Sequence, residues 1–320
     1  MITVVGESLV DVVARDGQHE PTVHPGGSPA NVAVALGRLG QPVALVTQIG
    51  ADDYGALIRA HLERNGVEVI LAGPAEMPTS RALARLDAQG GATYEFELSW
   101  DVRGLRAADG SAAVHFGSLG AVLAPGGEQV LRFAESACRG GEAVISYDPN
   151  VRPTVTPDRR EVAAIVERAA ACAHVVKLSD EDLGFLFPDT TPAQLAARLL
   201  GGGRPTQLLV VTRGRDGAAV VTRSSRFSVP AVPVTVVDTV GAGDAFMAAL
   251  LAGLAGSGVL SREELAGRVT EEQDLLREIV GQALAAAALT CTRPGADPPT
   301  AGELRSFLAG AGSTGAAGSG

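Results

Sequence analysis

Short apolar runs alternate with helix-patterned segments along almost the whole 320-residue chain, and this rhythm limits the fold more than any other feature. MITVVGE reads as a buried strand and SPANVAVALGRLG as a helix stopped at Gly40. PVALVTQIG is a strand, and YGALIRAHLERNGV is a helix ending at Asn65-Gly66. The alternation continues through AAVHFGSLG, EQVLRFAESACRG, EAVISYDPN, EVAAIVERAAACA, HVVKLS, PAQLAARLLGGG and QLLVVTRG. Repetition of this kind builds a parallel sheet covered by helices on both faces. The length suits one large α/β domain, or one domain with a small appendage. With 46% hydrophobic residues but only 4% aromatics, its core is made of small and branched aliphatics.

Two stretches break the rhythm. Asp11–His24 reads as strand, turn and strand, and Thr79–Leu98 as a hairpin turning at Gln89-Gly90-Gly91. Both follow early strands, at the end where open α/β sheets bind ligands, so together they are expected to form a small lid sheet. The alternative is a pair of surface hairpins with no role. The expected domain spans 1–308, with the lid at about 11–24 and 79–98, and the low-complexity 309–320 as a disordered tail.

The formal charge of −10, with no basic run, argues against nucleic acid or an anionic membrane as partner. A phosphorylated ligand must then be held locally, by backbone amides, a metal ion or a few arginines. Cys138, Cys172 and Cys291 lie far apart in alanine-rich or apolar surroundings and read as buried free thiols. The N-terminal stretch lacks a basic n-region, and the apolar run Gly281–Leu289 is too short to span a bilayer. A soluble, cytoplasmic protein is expected.

The stretch VVDTVGAGDAFMAALLAGL carries the clearest chemistry. The β-branched run Val234–Val237 stops at Asp238, and Gly241-Ala242-Gly243 turn into an apolar helix. The first amides of a helix lack intrahelical partners and carry partial positive charge, which suits a phosphate. Asp244 then stands where it can take a proton from an attacking alcohol, a role worth about 10²–10⁴-fold in rate. Read alone, it is equally an ordinary acidic residue of a first helical turn.

In HPGGSPANVAVALGRLG, Gly26 and Gly27 precede Ser28 as N-cap and Pro29 as the first helical residue. Asn31 in the first turn is expected to bind polyol hydroxyls, though capping alone explains the pattern. Asp11, at the exit of the first strand, sits in an apolar run and needs hydrogen-bonding partners that sugar hydroxyls would supply. Thr212, Gly214 and Gly217 mark a strand–turn–strand whose backbone can meet a nucleotide, or simply a hairpin. SYDPNVRP puts Asp148, Asn150 and Arg152 at a strand's end, with Arg152 able to balance phosphate charge. VKLSDEDLGFLFP brings Lys177, Ser179 and Asp182 to another strand's end, where an N-cap with acidic first-turn residues is the plainer reading.

GGSPANVAVALGRLG and DTVGAGDAF, at this separation, resemble the two signatures of the ribokinase-like (PfkB) family of sugar kinases, and the likeness runs from about Ile2 to Leu308. SYDPNVRP, VKLSDEDL and VVTRGRDGA are similar to the bacterial fructokinase branch. The resemblance implies a Rossmann-like α/β/α sandwich with a small β lid closing over the sugar. It implies Asp244 as catalytic base, Gly241, Ala242 and Gly243 as anion hole, and Asp11, Gly27 and Asn31 at the sugar. Ser179, Thr212, Gly214 and Gly217 would lie on the nucleotide side, ATP being the donor with Mg²⁺ bridging its phosphates. A potassium-type cation site would map onto Asp238, Val240, Thr290, Arg293 and Gly295. The chain departs from the family in having Ser179 and Asp182 where many ribokinases have Asn and Glu, and in Pro299, which offers no side-chain ligand.

The resulting expectation is an ATP-dependent kinase for fructose, with 2-keto-3-deoxygluconate or another sugar or polyol as runner-up. The lid residues Arg81, Arg85, Tyr94 and Phe96 are the candidates that discriminate sugars; otherwise they pack the lid or a homodimer contact through it. A dinucleotide dehydrogenase would need G-x-G-x-x-G after the first strand, where this chain has VVGESLVDV. No Walker motif occurs. A non-catalytic sugar sensor would have lost the base, and Asp244 is present.

Overall fold

The structure is a computed structural model that describes residues 1–15, 20–74, 76–86, 92–156 and 158–315. In chain order it contains β1 (Ile2–Val5), β2 (Leu9–Arg15), β3 (Thr22–Gly26), α1 (Ser28–Arg38), β4 (Val43–Thr47), α2 (Asp53–Arg64), β5 (Val67–Leu71), β6 (Ser80–Leu86), β7 (Ala92–Glu97), β8 (Ala113–Gly117), α3 (Ser118–Val122) and α4 (Gly126–Gly140). Then follow β9 (Val144–Asp148), α5 (Arg159–Ala170), β10 (Val175–Ser179), α6 (Asp180–Leu186), α7 (Pro192–Leu200), β11 (Leu208–Thr212), β12 (Ala218–Thr222), β13 (Arg226–Val229), α8 (Ala242–Gly256), α9 (Arg262–Glu271), α10 (Gln273–Cys291) and α11 (Ala301–Gly315).

Among the described residues, nine strands form the main sheet in the order β13-β12-β11-β10-β9-β8-β1-β4-β5. Strands β5 to β11 of this order run parallel, and β12 and β13 close one edge antiparallel. Alternate residues of each strand feed opposite faces. Ile2 and Val4 join a core with α1, α2 and α8–α11, whereas Val5 joins a second core with α3–α7. The result is the three-layer sandwich that the alternating pattern predicts. β1 lies where the strand order reverses, between β8 and β4, and ligands bind at the C-terminal strand ends beside such a point.

α8 is apolar around its whole circumference, with Asp244 its sole charged residue, and it packs between α1 and α10. A helix of this composition is stable only when enclosed. Gly253 permits the approach to α10, since a Cβ there would stand 2.7 Å from Ile279 Cγ2.

A second sheet, ordered β3-β2-β6-β7, is built from the two stretches that break the alternating pattern. β2 pairs parallel with β6 and antiparallel with β3, and β6 and β7 form the anticipated hairpin. The turn at Gln89-Gly90-Gly91 and part of the turn within Asp11–His24 lie outside the described residues. Asp11 belongs to this sheet, on β2, and not to the exit of the first main-sheet strand. Of the tail expected from 309, residues 309–315 continue α11, and 316–320 lie outside the described residues. All three cysteines are free; Cys172 is buried, and Cys138 and Cys291 are half-buried. Among the described residues, no helix is long and apolar enough to cross a membrane.

Candidate active site

Asp244 occupies the first turn of α8 and is 4% exposed. Three neutral donors meet its carboxylate. Ser28 Oγ donates to Oδ1 at 2.7 Å, Asn150 Nδ2 to Oδ1 at 3.2 Å, and Asn31 Nδ2 to Oδ2 at 2.9 Å. Ser28 and Asn31 lie in the first turn of α1, so the N-termini of two packed helices converge on one carboxylate.

Local backbone geometry explains the convergence. Gly27 is the N-cap of α1 at φ +101°, and a Cβ there would lie 2.6 Å from the Glu7 carbonyl oxygen. Ser28 is therefore the first helical residue, not the N-cap that its sequence context suggests, and its hydroxyl reaches α8 instead of its own helix. Asn31, expected at sugar hydroxyls, donates to Asp244.

The anion-hole turn enters α8 through Gly241 in the left-handed region, φ +75°, where a Cβ would lie 2.7 Å from Ala296 Cβ. The Ala242 amide already donates to Thr239 O at 3.2 Å, so it is the least available of the turn's donors. Helix geometry leaves the Gly243 and Asp244 amides without intrahelical acceptors. A Cβ on Gly243 would stand 3.0 Å from Lys177 Nζ, which puts an ammonium directly behind the turn.

Lys177 is 3% exposed and donates to Asp148 Oδ2 at 2.8 Å. Burial alone would lower the lysine's pKa, but Asp148, with Asp182 and Asp244 beyond it, raises it. Burial likewise pushes Asp148 upward, and the ammonium opposes that shift. Asp182 is a structural clamp: its oxygens accept the amides of Val151 at 2.8 Å and Ser179 at 3.0 Å, while Ser179 Oγ caps α6. The plainer reading of VKLSDEDL thus holds for Ser179 and Asp182, while Lys177 reaches the anion hole.

Asn150, at φ +36°, links two groups: its amide nitrogen donates to Asp244, and its Oδ1 accepts Arg152 Nη1 at 2.6 Å. Arg152 is exposed and acts electrostatically on both Asp11 and Glu7. The pairing register lines up His24, Asp11, Ala82 and Phe96 across the lid. Dense protein around Asp11 raises its pKa, against the opposing charges of His24 and Arg152. A Cβ on Gly26 would lie 2.4 Å from Asp11 Oδ2, so a side chain there would make that carboxylate swing aside. Strand alternation puts Arg81 on the opposite face from Asp11 and Phe96, where it pairs with Glu97 at 2.7 and 2.9 Å and senses Tyr54 of α2.

Of the residues expected at a nucleotide, Thr212 ends β11 with its hydroxyl 3.4 Å from Leu178 O, and Gly214, φ +47°, has open space where a Cβ would lie. Gly217 has a packing reason instead, since a Cβ there would lie 2.0 Å from Val229 O. Val236, Val237 and Val240 are exposed apolar residues leading into the anion-hole turn.

Of the proposed cation ligands, Asp238, Val240 and Gly295 come together. Asp238 accepts the Val240 amide at 3.0 Å and the Gly295 amide at 2.8 Å, bonds that hold its pKa down. Thr290 spends its hydroxyl on Ala286 O at 2.9 Å, and Arg293 pairs its side chain with Asp297 and Glu303. Arg293 then has only its backbone oxygen to offer, whereas the Thr290 hydroxyl, as donor to Ala286, keeps its own lone pairs.

Three polar residues at the site have no role there that sequence alone suggests. Ser28 was hidden by its N-cap context, and Asp148 by a partner 29 residues away. Glu7, buried after β1, accepts the Gly120 amide at 2.7 Å. Burial pushes its pKa up to about 7, against the lowering effect of its own backbone amide, Ser118, Gly120 and Arg152.

Residues 1–301 match the description "pfkB family carbohydrate kinase". A fructokinase from Rhizobium leguminosarum bv. trifolii is 36% identical over 280 residues, covering 83% of each chain. The solved structure of a Xylella fastidiosa fructokinase with bound ATP superposes with a TM-score of 0.84 at 25% identity, covering 97% of this chain and 99% of that one. A fructokinase double mutant from Vibrio cholerae O395, with fructose, ADP and potassium ion bound, gives a TM-score of 0.78 at 28% identity, covering 96% and 97%.

Proposed function

The chain belongs to the pfkB family of carbohydrate kinases, and from that premise we propose that it transfers the γ-phosphate of ATP to a hydroxyl of fructose, with Asp244 as base. The observation that carries this is the buried Asp244 carboxylate beside the open amides of its own helix turn. One group takes the proton of the attacking hydroxyl, and the adjacent amides hold the transferring phosphoryl group. As the O–H bond breaks, the sugar oxygen bonds to the γ-phosphorus, the bond to the bridging oxygen breaks, and ADP leaves. Protein catalysis of this reaction is mostly positioning and charge stabilisation.

Lys177 supports the same reading, as a fixed positive charge behind Gly243 in a chain of net charge −10. The lid row with Asp11, together with Asn150 and Arg152, supplies the polar groups for sugar hydroxyls. Thr212 and Gly214 supply backbone and hydroxyl for the nucleotide. Fructose is favoured by the names of the relatives and of the solved structures; 2-keto-3-deoxygluconate is the second choice within the class.

Among the described residues, no cluster of three or more His, Cys, Asp or Glu forms a metal cage. That donor set fits Mg²⁺ carried largely by phosphates and water, with Asp148, Asp182 and Asp244 as the nearby carboxylates. Bound there, Mg²⁺ would neutralise phosphate charge. The Asp238–Gly295 junction suits a monovalent cation held by backbone oxygens of Val240, Thr290, Arg293 and Gly295.

An ADP-release screen over fructose, ribose, 2-keto-3-deoxygluconate and nucleosides tests the reading. Fructose is expected to give the highest kcat/KM, and Asp244→Asn to lose about 10²–10⁴-fold in kcat. A better sugar in the screen overturns the fructose assignment, and near-wild-type turnover by the Asn variant overturns the base.

A further inference from the structure

We propose that Ser28 is a positioning residue for phosphoryl transfer, and that it leaves Asp244 Oδ2 as the atom that takes the proton from the attacking hydroxyl. The inference rests on Asp244 being the base of the reaction above.

The donors are unevenly divided between the two carboxylate oxygens. Each oxygen of a carboxylate offers about two lone-pair sites. Oδ1 accepts both Ser28 Oγ and Asn150 Nδ2, which fills it, whereas Oδ2 accepts Asn31 Nδ2 and keeps one lone pair. Of the three contacts, that from Ser28 is the shortest, at 2.7 Å. It is also more firmly anchored than that from Asn150. Asn150 divides its amide between Asp244 and Arg152 in a loop, but Ser28 is 9% exposed in the first turn of a packed helix.

Its neighbours on both sides are wedged against the segment after β1. Gly27 lies so close to Glu7 that a Cβ would stand 2.6 Å from the carbonyl oxygen, and a Cβ on Gly6 would meet Pro29 Cγ at 2.2 Å. The terminal torsion of an aspartate is soft and nearly two-fold, so the carboxylate does not fix its own rotation. A hydroxyl held by another helix does. Without it, both oxygens compete for the remaining donors, and fewer carboxylates present a free lone pair to the sugar.

The test compares Ser28→Ala, Ser28→Thr and Ser28→Val, with kcat and sugar KM measured separately and Asp244→Asn run in parallel. Thr and Val have the same shape and differ in the hydroxyl. Ala and Val are expected to lower kcat roughly tenfold with sugar KM within about threefold, while Thr recovers most of the loss. Thermal midpoints identify any variant that fails to fold; if Val or Thr fails, the Ala variant alone decides. Wild-type kcat in Ser28→Ala, or equal kcat in Thr and Val, overturns the proposal. If Asp244→Asn is inactive while Ser28→Ala is normal, only the Ser28 inference falls. Near-wild-type Asp244→Asn removes the base reading and this inference with it.

Discussion

Lys177 and Asp148 show how one pair can matter to stability and to ligand binding in separable ways. Both are almost completely buried, and each satisfies the other's charge at 2.8 Å. Removing one partner strands a buried ion and costs about 3–5 kcal/mol, whereas replacing both with apolar residues of similar volume is often neutral. Lys177→Met is therefore expected to destabilise by that amount, and Lys177→Met with Asp148→Leu to recover most of it in thermal or denaturant unfolding. The KM for ATP should remain raised in both, because neither has the ammonium behind Gly243. Restored ATP affinity in the double variant would show that Lys177 serves the fold alone.

At the scale of elements, the site depends on how the start of α1 meets the end of β1. Gly6 lets Pro29 sit against the strand exit, and Pro29 flanks Ser28 in the first turn. Gly6→Ala forces a rigid proline ring to move, and overpacking of this kind costs about 1–3 kcal/mol. The shift passes to Ser28 and Asn31, which hold the Asp244 carboxylate on α8. Turnover at 25 °C, well below the variant's melting point, is expected to fall at least about tenfold, since small misplacements at a reacting centre are expensive. Normal kcat in a destabilised Gly6→Ala enzyme would mean that α1 adjusts without moving its first turn.

Across the whole molecule, buried titrating groups of opposite type set the pH dependence of stability. Burial, with Lys177 nearby, lowers His115 to about 3, and burial with Arg262 lowers His174 to about 4. Burial raises Glu7 to about 7. Between about pH 4.5 and 6.5 the unfolded chain binds protons on both imidazoles that the folded chain does not. Over the same range the folded chain keeps a proton on Glu7 that the unfolded chain has lost. Asp148, raised to about 6, also keeps its proton in the folded chain below that pH, so the two carboxyls offset the two imidazoles there, and the joint contribution of the four groups is nearly flat up to about pH 6 and rises with pH above it. Glu7→Gln removes one of the two opposing carboxyls, and stability should then rise more steeply with pH, as read from melting temperatures across that range. Equal slopes in the two proteins would mean that Glu7 titrates as an ordinary carboxylate.

Much of this architecture is legible in the primary structure because it is local. Apolar periodicity marks the strands and helices, and Gly241-Ala242-Gly243 before an apolar helix marks the turn proposed to hold the phosphoryl group. Asp244 stands out as the one charge in a helix that has to be enclosed. The roles of Ser28, Asp148 and Glu7 come from contacts between segments far apart in the chain. Ser28 and Asp244 are 216 positions apart, and no local pattern distinguishes a hydroxyl that caps its own helix from one that crosses to another. Arg81 is a case where register decides the partner: residue type alone does not say that its guanidinium pairs with Glu97 and lies near Tyr54 of α2. The chain by itself determined which elements form and which carries the acidic group, because backbone preference and hydrophobic period act over a few residues. Only the tertiary structure decided which oxygen of Asp244 is open and which cation stands behind the turn, because hydrogen bonds and charges act through space.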